Sequence, residues 1–364
     1  EAPRPVLVAR MLADAFLVLF PYKGKGELVT YCEAYSRALN GFIVSREQNY
    51  QLELRSGICC VEDSDASDIN SLLDRANMAL KPIKVKGAAQ WKFYDHTMRD
   101  KLLREKDLEI RMEKALADGE FLVYIQPKYW VGTRALAGGE ALVRWKSPDQ
   151  GFLSPGEFIP LFEKNRFIVK LDQFMFTSVC GLLRQWLDAG IEPRPLSVNV
   201  SRMQFHTPDF VERYIRIKSL YAIPDGLLEL EFTESIFFDN VALLSSAVHE
   251  LRRAGIKCSI DDFGAGYSSL NVLKALPVSV LKLDGMFFRT AKDDEQAKIV
   301  IRNIMRMAGE LKMATVAEGV ETHEQVAFLE TTGCDIIQGY VFARPMPAAE
   351  FTELLAGEGG HAER

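Results

Sequence analysis

From Glu120 onward the chain alternates short apolar runs with amphipathic helical stretches, and this rhythm limits the fold more than any other feature. Strand-like runs stand at Phe121–Ile125, Gly139–Trp145, Leu196–Val200, Leu227–Phe232, Lys257–Asp261, Val280–Leu283, Ala314–Ala317 and Asp335–Ile337. Helix-like stretches lie between them, such as Phe167–Ala189, Pro208–Ser219, Val241–Ala254, Glu295–Lys312 and Glu324–Thr332. Eight strands alternating with helices over about 235 residues match a (β/α)8, TIM-like α/β barrel. An open doubly wound sheet is the alternative. No G-x-G-x-x-G follows the first strand, which counts against dinucleotide binding.

The chain has 364 residues, enough for two units at about 150 residues each. Residues 1–95 mix short apolar runs (Val6–Val8, Ala15–Phe20, Gln51–Cys60) with a helical stretch at Ile69–Lys81. Residues 96–119 read as an amphipathic helical linker, with apolar positions at Met98, Leu102, Ile110, Met112 and Leu116. The expected partition is therefore 1–95 for a small α+β module, 96–119 for the linker, 120–358 for the barrel and 359–364 for a tail. Lys and Arg total 44 against 50 Asp and Glu, a net charge of −6. Duplex nucleic acid or an anionic membrane as main partner normally demands a basic surplus. A small phosphate ligand stays open, because metal ions or a local basic cluster can hold it. The longest apolar run, Ala15–Phe20, is far too short to span a bilayer. No secretory signal is visible. The chain begins with Glu1, so a membrane anchor or sensor outside it is allowed for. The six cysteines are scattered without C-x-x-C, which fits reduced thiols in a cytoplasmic protein better than structural zinc.

Polar residues interrupt the apolar strands at one end. Glu140 lies in the second strand and Asn199 near the end of the third. Glu231 closes the fourth, Asp261 and Asp262 the fifth, and Lys282 the sixth. Glu318 follows the seventh and Gln338 the eighth. In a parallel barrel all strand carboxyl ends meet on one face, so these side chains should share a pocket. Any one of them alone reads as a solvated carboxylate, a helix cap or a turn residue. Their repetition on successive strands favours a site. Carboxylates crowded together repel one another and resist burial, and divalent cations are the common remedy. Oxygen ligands with no His or Cys suit Mg²⁺ or Mn²⁺. An Asp-Asp pair can bridge two ions, and two ions suit water attack at phosphorus. An adjacent lysine can orient that water or neutralise developing charge. The residues thus read as a two-metal phosphoesterase. A Mg²⁺-dependent lyase or isomerase fits the carboxylates and lysine only generically.

At these positions the sequence resembles the EAL-domain cyclic-di-GMP phosphodiesterases, over about residues 107–358. The resemblance rests on Gln126-Pro127, Glu140-Ala141-Leu142-Val143-Arg144-Trp145, Ser197-Val198-Asn199 and Glu231-Phe232-Thr233-Glu234-Ser235. It continues through Asp261-Asp262-Phe263-Gly264-Ala265-Gly266-Tyr267-Ser268-Ser269-Leu270, Leu281-Lys282-Leu283-Asp284, Ala317-Glu318-Gly319-Val320-Glu321 and Gln338-Gly339-Tyr340. It implies hydrolysis of cyclic di-GMP to linear pGpG with two Mg²⁺ or Mn²⁺ ions, in bacterial second-messenger signalling. By position, Glu140, Asn199, Glu231 and Asp261 are implied as ligands of one metal. Asp261 bridges to a second, with Asp262 beside it. Lys282 is implied to hold the attacking water and Glu318 to support metal or water. Glu234 is implied to steady the loop after the fifth strand, and Gln126, Arg144 and Gln338 to contact ligand or water. Arg144 also suits a phosphate or a guanine edge on chemical grounds. The resemblance further implies a homodimer through the barrel. A cyclic-di-GMP receptor or scaffold with little turnover is the competing expectation.

The N-terminal region resembles the later part of a GGDEF domain, the diguanylate cyclase family. Arg10-Met11-Leu12-Ala13-Asp14-Ala15-Phe16 stands at its signature, Asp74-Arg75-Ala76-Asn77-Met78-Ala79-Leu80 at a helix and Phe93-Tyr94-Asp95 at its closing strand. Leu12 and Ala13 replace both glycines and Ala15 the acidic residue. Leu12 should block close backbone approach to a nucleotide. The first half of such a domain is absent from this sequence, so a regulatory, packing or dimerising role is expected in place of cyclase activity.

Overall fold

The first two strands of the C-terminal region extend beyond the runs Phe121–Ile125 and Gly139–Trp145, so that only five residues, 131–135, separate them. A parallel neighbour needs a crossover of a dozen or more residues, so these two strands can pair only as an antiparallel hairpin. That constraint explains the one way in which the barrel departs from eight parallel strands.

A computed structural model describes residues 5–44, 53–61, 68–83, 90–233, 236, 241–264, 277–290 and 294–359. The chain divides into two compact units, Glu1–Leu108 and Glu109–Arg364. In the first unit β1 (Leu7–Leu12) and β2 (Ala15–Leu19) form an antiparallel hairpin. Its turn holds Ala13 at φ +45°, a left-handed conformation that glycine adopts more readily. Next come α1 (Lys25–Val44), β3 (Ser56–Ile58), α2 (Ile69–Leu80) and β4 (Trp91–Phe93), with β3 and β4 paired in parallel. Helix α2 starts at Asp68, whose carboxylate accepts from the N–H groups of Asn70 and Ser71. Helix α3 (His96–Ala117) contains the division between the units.

In the second unit β5 (Phe121–Trp130) and β6 (Leu136–Ser147) form the hairpin, and β7 (Gly151–Leu153) extends it. Helices α4 (Pro155–Lys164) and α5 (Ile168–Asp188) follow. Then come β8 (Leu196–Asn199), α6 (Phe210–Leu220), β9 (Leu228–Thr233), α7 (Val241–Arg253) and β10 (Lys257–Phe263). The order continues with β11 (Val280–Leu283), α8 (Met286–Thr290), α9 (Glu295–Glu310), β12 (Ala314–Ala317) and α10 (His323–Glu330). It ends with β13 (Ile336–Gln338), β14 (Met346–Pro347) and α11 (Ala348–Gly359).

Strands β5, β6, β8, β9, β10, β11, β12 and β13 close on themselves, because β5 pairs with both β6 and β13. The expected eight-stranded barrel is present. Its seven later strands run parallel, whereas β5 is antiparallel to both neighbours. Residues on β5 therefore reach the barrel interior from mid-strand, not from a carboxyl end.

The alternation within β9 explains how a polar site sits inside an apolar shell. Leu228, Leu230 and Phe232 are fully buried, while Glu229 and Glu231 between them face the other side. Ser197 pairs in register with Glu229, and Ser259 with Glu231, so these polar side chains share one layer. The apolar positions pack outward with Val179, Leu183, Trp186, Tyr214, Val248 and Leu251 in one continuous core. Each such side chain contributes roughly 1.5–3 kcal/mol on burial, which offsets the cost of the polar interior.

Candidate active site

Strand β6 carries Glu140 into the barrel mouth, where it is 6% exposed. Its two oxygens accept from Asn199 Nδ2 at 2.6 Å and from Gln338 Nε2 at 2.6 Å. Gln338 Nε2 also donates to Gln126 Oε1 at 3.2 Å, and Gln126 Nε2 donates to the Ala343 carbonyl at 3.4 Å. Two strands away from β6, Glu231 is buried completely enough to need a charged partner.

That partner is principally Lys282 on β11, which is 0% exposed. Its ammonium lies 2.5 Å from Glu231, 2.7 Å from Glu318, 3.1 Å from Asp261 and 3.6 Å from Glu140. Four carboxylates from distant parts of the chain thus converge on one lysine.

Adjacent residues of a regular strand face opposite ways, so Asp261 and Asp262 should diverge. They do not, because the register between β10 and β11 slips between Ile260 and Phe263. Two residues of β10 stand opposite Lys282 alone, the arrangement of a β-bulge. Asp262 adopts φ +55°, at a cost of about 1–2 kcal/mol for a non-glycine residue. The result brings carboxylate oxygens of Asp261, Asp262 and Glu318 within 4.8 Å of one another. Glu318 is held there by its N–H bond to the Leu283 carbonyl at 3.0 Å. Gly319 follows at φ +60°, and a Cβ there would stand 3.1 Å from the Cα of Gly285.

The electrostatics follow from burial and crowding. Burial pushes the Asp262 carboxyl up to about 6, with help from Asp261 and Asp284. Burial also raises Glu318 well above the carboxylate range; Lys282 opposes this, while Asp261, Glu140 and Glu231 reinforce it. Glu140 is raised by burial and by Glu231. Glu231 goes the other way: burial alone would raise it, but Lys128 and Lys282 together hold it below its ordinary value. Burial works against the charge on Lys282, yet Asp261, Glu140, Glu231 and Glu318 keep its ammonium protonated far above the usual range.

Five carboxyl groups (Glu140, Glu231, Asp261, Asp262, Glu318) face two lysines, and the upward shifts of Glu140, Asp262 and Glu318 reflect their burial and mutual repulsion. Gln338 Oε1 is buried beside it without a hydrogen-bond partner. Oxygen donors, crowded carboxyl groups and an orphaned acceptor fit a hard divalent cation. Asp261, Asp262 and Glu318 are the residues placed to hold a metal.

Of the residues expected from sequence, Gln126, Glu140, Asn199, Glu231, Asp261, Asp262, Lys282, Glu318 and Gln338 come together in this one mouth. Arg144 makes no ion pair with the carboxylate cluster but lies within electrostatic reach of Glu140. It is four residues beyond Glu140 on the same face of β6, about 13 Å along the strand. Its guanidinium lies over the Tyr124 ring at 5.5 Å. Glu234 lies outside the described residues, as do residues 265–270 of the loop after β10. Lys128 escaped the sequence reading. It sits on β5, donates to Ser197 Oγ at 2.7 Å and Glu231 Oε1 at 2.9 Å, and is 6% exposed. The available signal was a lysine two residues from Gln126, hence on the same strand face, inside an otherwise buried run.

The model of the EAL domain family matches residues 110–345. The bifunctional diguanylate cyclase/cyclic di-GMP phosphodiesterase MucR of Pseudomonas aeruginosa is 30% identical over 350 residues, covering 96% of this chain and 51% of that protein. The cyclic di-GMP phosphodiesterase NbdA of the same organism is 31% identical over 349 residues, covering 96% of this chain and 44% of that protein. This chain thus spans about half the length of the curated relatives it matches. Among solved structures, the PaMucR phosphodiesterase in complex with c-di-GMP is 35% identical, with a TM-score of 0.64 over 67% of this chain and 99% of that one. The EAL enzyme Bd1971 bound to cAMP and cyclic di-GMP is 29% identical, with a TM-score of 0.66 over 81% of this chain and 78% of that one. With the family match covering the whole barrel and its convergent carboxylates, this chain belongs to the EAL domain family.

Proposed function

We propose that the barrel hydrolyses cyclic di-GMP to linear pGpG with the help of two divalent cations. The observation that carries this reading is the convergence of Glu140, Glu231, Asp261 and Glu318 on Lys282, with Asp262 brought alongside by the β10 bulge. When bound, Mg²⁺ or Mn²⁺ supplies a Lewis acid that activates water and offsets charge at phosphorus. Glu140, Asn199, Glu231 and Asp261 are the residues we assign to one ion. Asp261, Asp262 and Glu318 are those we assign to the other.

Lys282, kept charged by its four carboxylates, donates a hydrogen bond and so orients the attacking water. Water adds its oxygen to phosphorus, the P–O3′ bond breaks, and the leaving 3′ oxygen takes a proton. The linear product keeps the phosphate on its 5′ end. Gln126 and Gln338 line the same mouth and contact ligand or water. Arg144, higher on the β6 face, meets a phosphate or a guanine edge. To Glu234, outside the described residues, we assign the loop-steadying role that the family resemblance implies.

We further propose that the first unit is a degenerate GGDEF-like module with a regulatory role. Leu12, 78% exposed beside the hairpin turn, supports this by standing where close nucleotide approach needs glycine. A cytoplasmic location, a homodimer through the barrel and a membrane anchor or sensor outside this chain belong to the same reading. The test is nucleotide chromatography of the purified chain with cyclic di-GMP and Mg²⁺ or Mn²⁺, beside Glu140→Ala and a chelated control. Release of pGpG by the parent alone supports the enzyme. Tight binding without product over long incubation would replace it with a receptor.

A further inference from the structure

Glu231 is distinguished within the cluster by having both oxygens claimed by lysines. Oε2 receives Lys282 and Oε1 receives Lys128. Glu140, by contrast, is held mainly by the neutral amides of Asn199 and Gln338. Lys128 reaches Glu231 from β5, the antiparallel strand, and its ammonium is anchored a second time on Ser197 Oγ of β8. The Ser197 hydroxyl in turn donates to the Gly139 carbonyl, next to Glu140. Lys128 therefore ties together β5, β6, β8 and β9 beneath the site.

Its removal has a directional consequence. Lys282 would be left as the one described cation against Glu140, Glu231, Asp261 and Glu318. Glu231 is its closest partner, at 2.5 Å, and would lose the opposing pull that fixes its other oxygen. The carboxylate would turn, and Lys282 would shift with it, away from Asp261 and Glu318. A buried ion pair that loses one member leaves an uncompensated charge, so the rearrangement is strongly driven.

We propose that Lys128 is a positioning residue: it clamps Glu231 through Oε1 and thereby leaves Lys282 centred among Asp261, Glu318 and Glu140. It acts through Glu231 and touches no reacting atom. This inference rests on the assignment of Glu231 as a metal ligand made above. A simple electrostatic role makes the opposite prediction, because removing a cation beside metal ligands should tighten metal binding.

The test measures Mn²⁺ binding by the electron paramagnetic resonance signal of free Mn²⁺, and separately kcat and KM for cyclic di-GMP, on the full chain. Lys128→Met should weaken Mn²⁺ binding about 10-fold and lower kcat about 10–100-fold, the usual range for residues that orient metal ligands, with KM changed less than about twofold. Ser197→Ala removes the second anchor of Lys128, together with the hydroxyl's bonds to the Gly139 carbonyl and to Glu231, and should weaken Mn²⁺ binding about threefold in the same direction. Unchanged or tighter Mn²⁺ binding in Lys128→Met, or a loss confined to KM, overturns the proposal. Should Lys128→Met fail to fold, Ser197→Ala decides alone, and parent-like Mn²⁺ binding in it overturns the clamp. Glu231→Gln separates the two claims. If it binds Mn²⁺ as the parent does, the ligand assignment has failed, whatever Lys128 does.

Discussion

Asp172 offers a quantitative probe of how the barrel supports the site from behind. It lies on α5, 7% exposed, and its Oδ2 accepts from the Ser201 N–H at 3.0 Å and Gln204 Nε2 at 3.2 Å. Ser201 is two residues past Asn199, so Asp172 anchors the chain that leaves β8. Burial pushes its carboxyl from 3.8 up to about 7, despite those two donors. Between these values the folded state keeps a proton that the unfolded chain has lost. Stability from this group is therefore fully present below about pH 4 and is lost as pH rises through about 7. A gap of roughly three units corresponds to about 4 kcal/mol in all, of which roughly 3 kcal/mol falls between pH 5 and 8. Asp172→Asn keeps an oxygen acceptor for both donors and cannot ionise. Denaturant unfolding, followed by fluorescence with the buried Trp145 and Trp186 as barrel reporters, should be run on parent and variant across that range. Groups common to both cancel in the difference. The parent should lose roughly 3 kcal/mol relative to the variant from pH 5 to 8. A difference that stays flat, or moves in the parent's favour, would refute the reasoning.

Other outcomes follow from the same geometry. Lys282→Ala should lower single-turnover hydrolysis at least about 100-fold while calorimetry finds cyclic di-GMP affinity within about threefold, because its ammonium orients water; equal loss of affinity would make it an anchor for substrate instead. Ca²⁺ in place of Mg²⁺ should inhibit, since its longer, looser coordination disturbs the spacing that a compact carboxylate cluster sets, and full turnover with Ca²⁺ in a steady-state assay would count against the two-cation reading. Gly339→Ala would place a Cβ 2.0 Å from the Val320 carbonyl oxygen, beside Gln338. Overpacking against backbone costs about 1–3 kcal/mol, so its melting temperature should fall by about 5 °C, and an unchanged melting curve would contradict the close approach.

The strand rhythm was legible because its period is short and its polar exceptions are conspicuous. In Leu228–Thr233 every second residue is apolar, and that pattern alone places Glu229 and Glu231 on one face. The convergence of Glu140, Lys282 and Glu318 followed from barrel closure, which needs only the strand count. Four features were not legible for physical reasons. The bulge that brings Asp262 beside Asp261 depends on a left-handed backbone at a non-glycine residue, which no propensity suggests. Lys128 was hidden because a lysine in a strand ordinarily marks a solvated face, and only closure of the barrel, with β5 paired to both β6 and β13, buries the face it shares with Gln126. The reversed direction of β5 was not readable either: the runs Phe121–Ile125 and Gly139–Trp145 leave thirteen residues, 126–138, between them, room for a crossover, and only the extension of the strands to Trp130 and back to Leu136 shortens the gap to a hairpin. Helix α1 went unread because its apolar residues are diluted by Gly26, Gly41 and small polar side chains, so its helical stripe is faint.

The most direct measurement of the central claim is mass spectrometry of the product formed from cyclic di-GMP with Mn²⁺ in ¹⁸O-enriched water. Water attack at phosphorus with P–O3′ cleavage requires pGpG carrying one ¹⁸O on its 5′ phosphate, from the parent chain and not from Glu140→Ala. Unlabelled product, label elsewhere, or bound but uncleaved cyclic di-GMP would contradict the account.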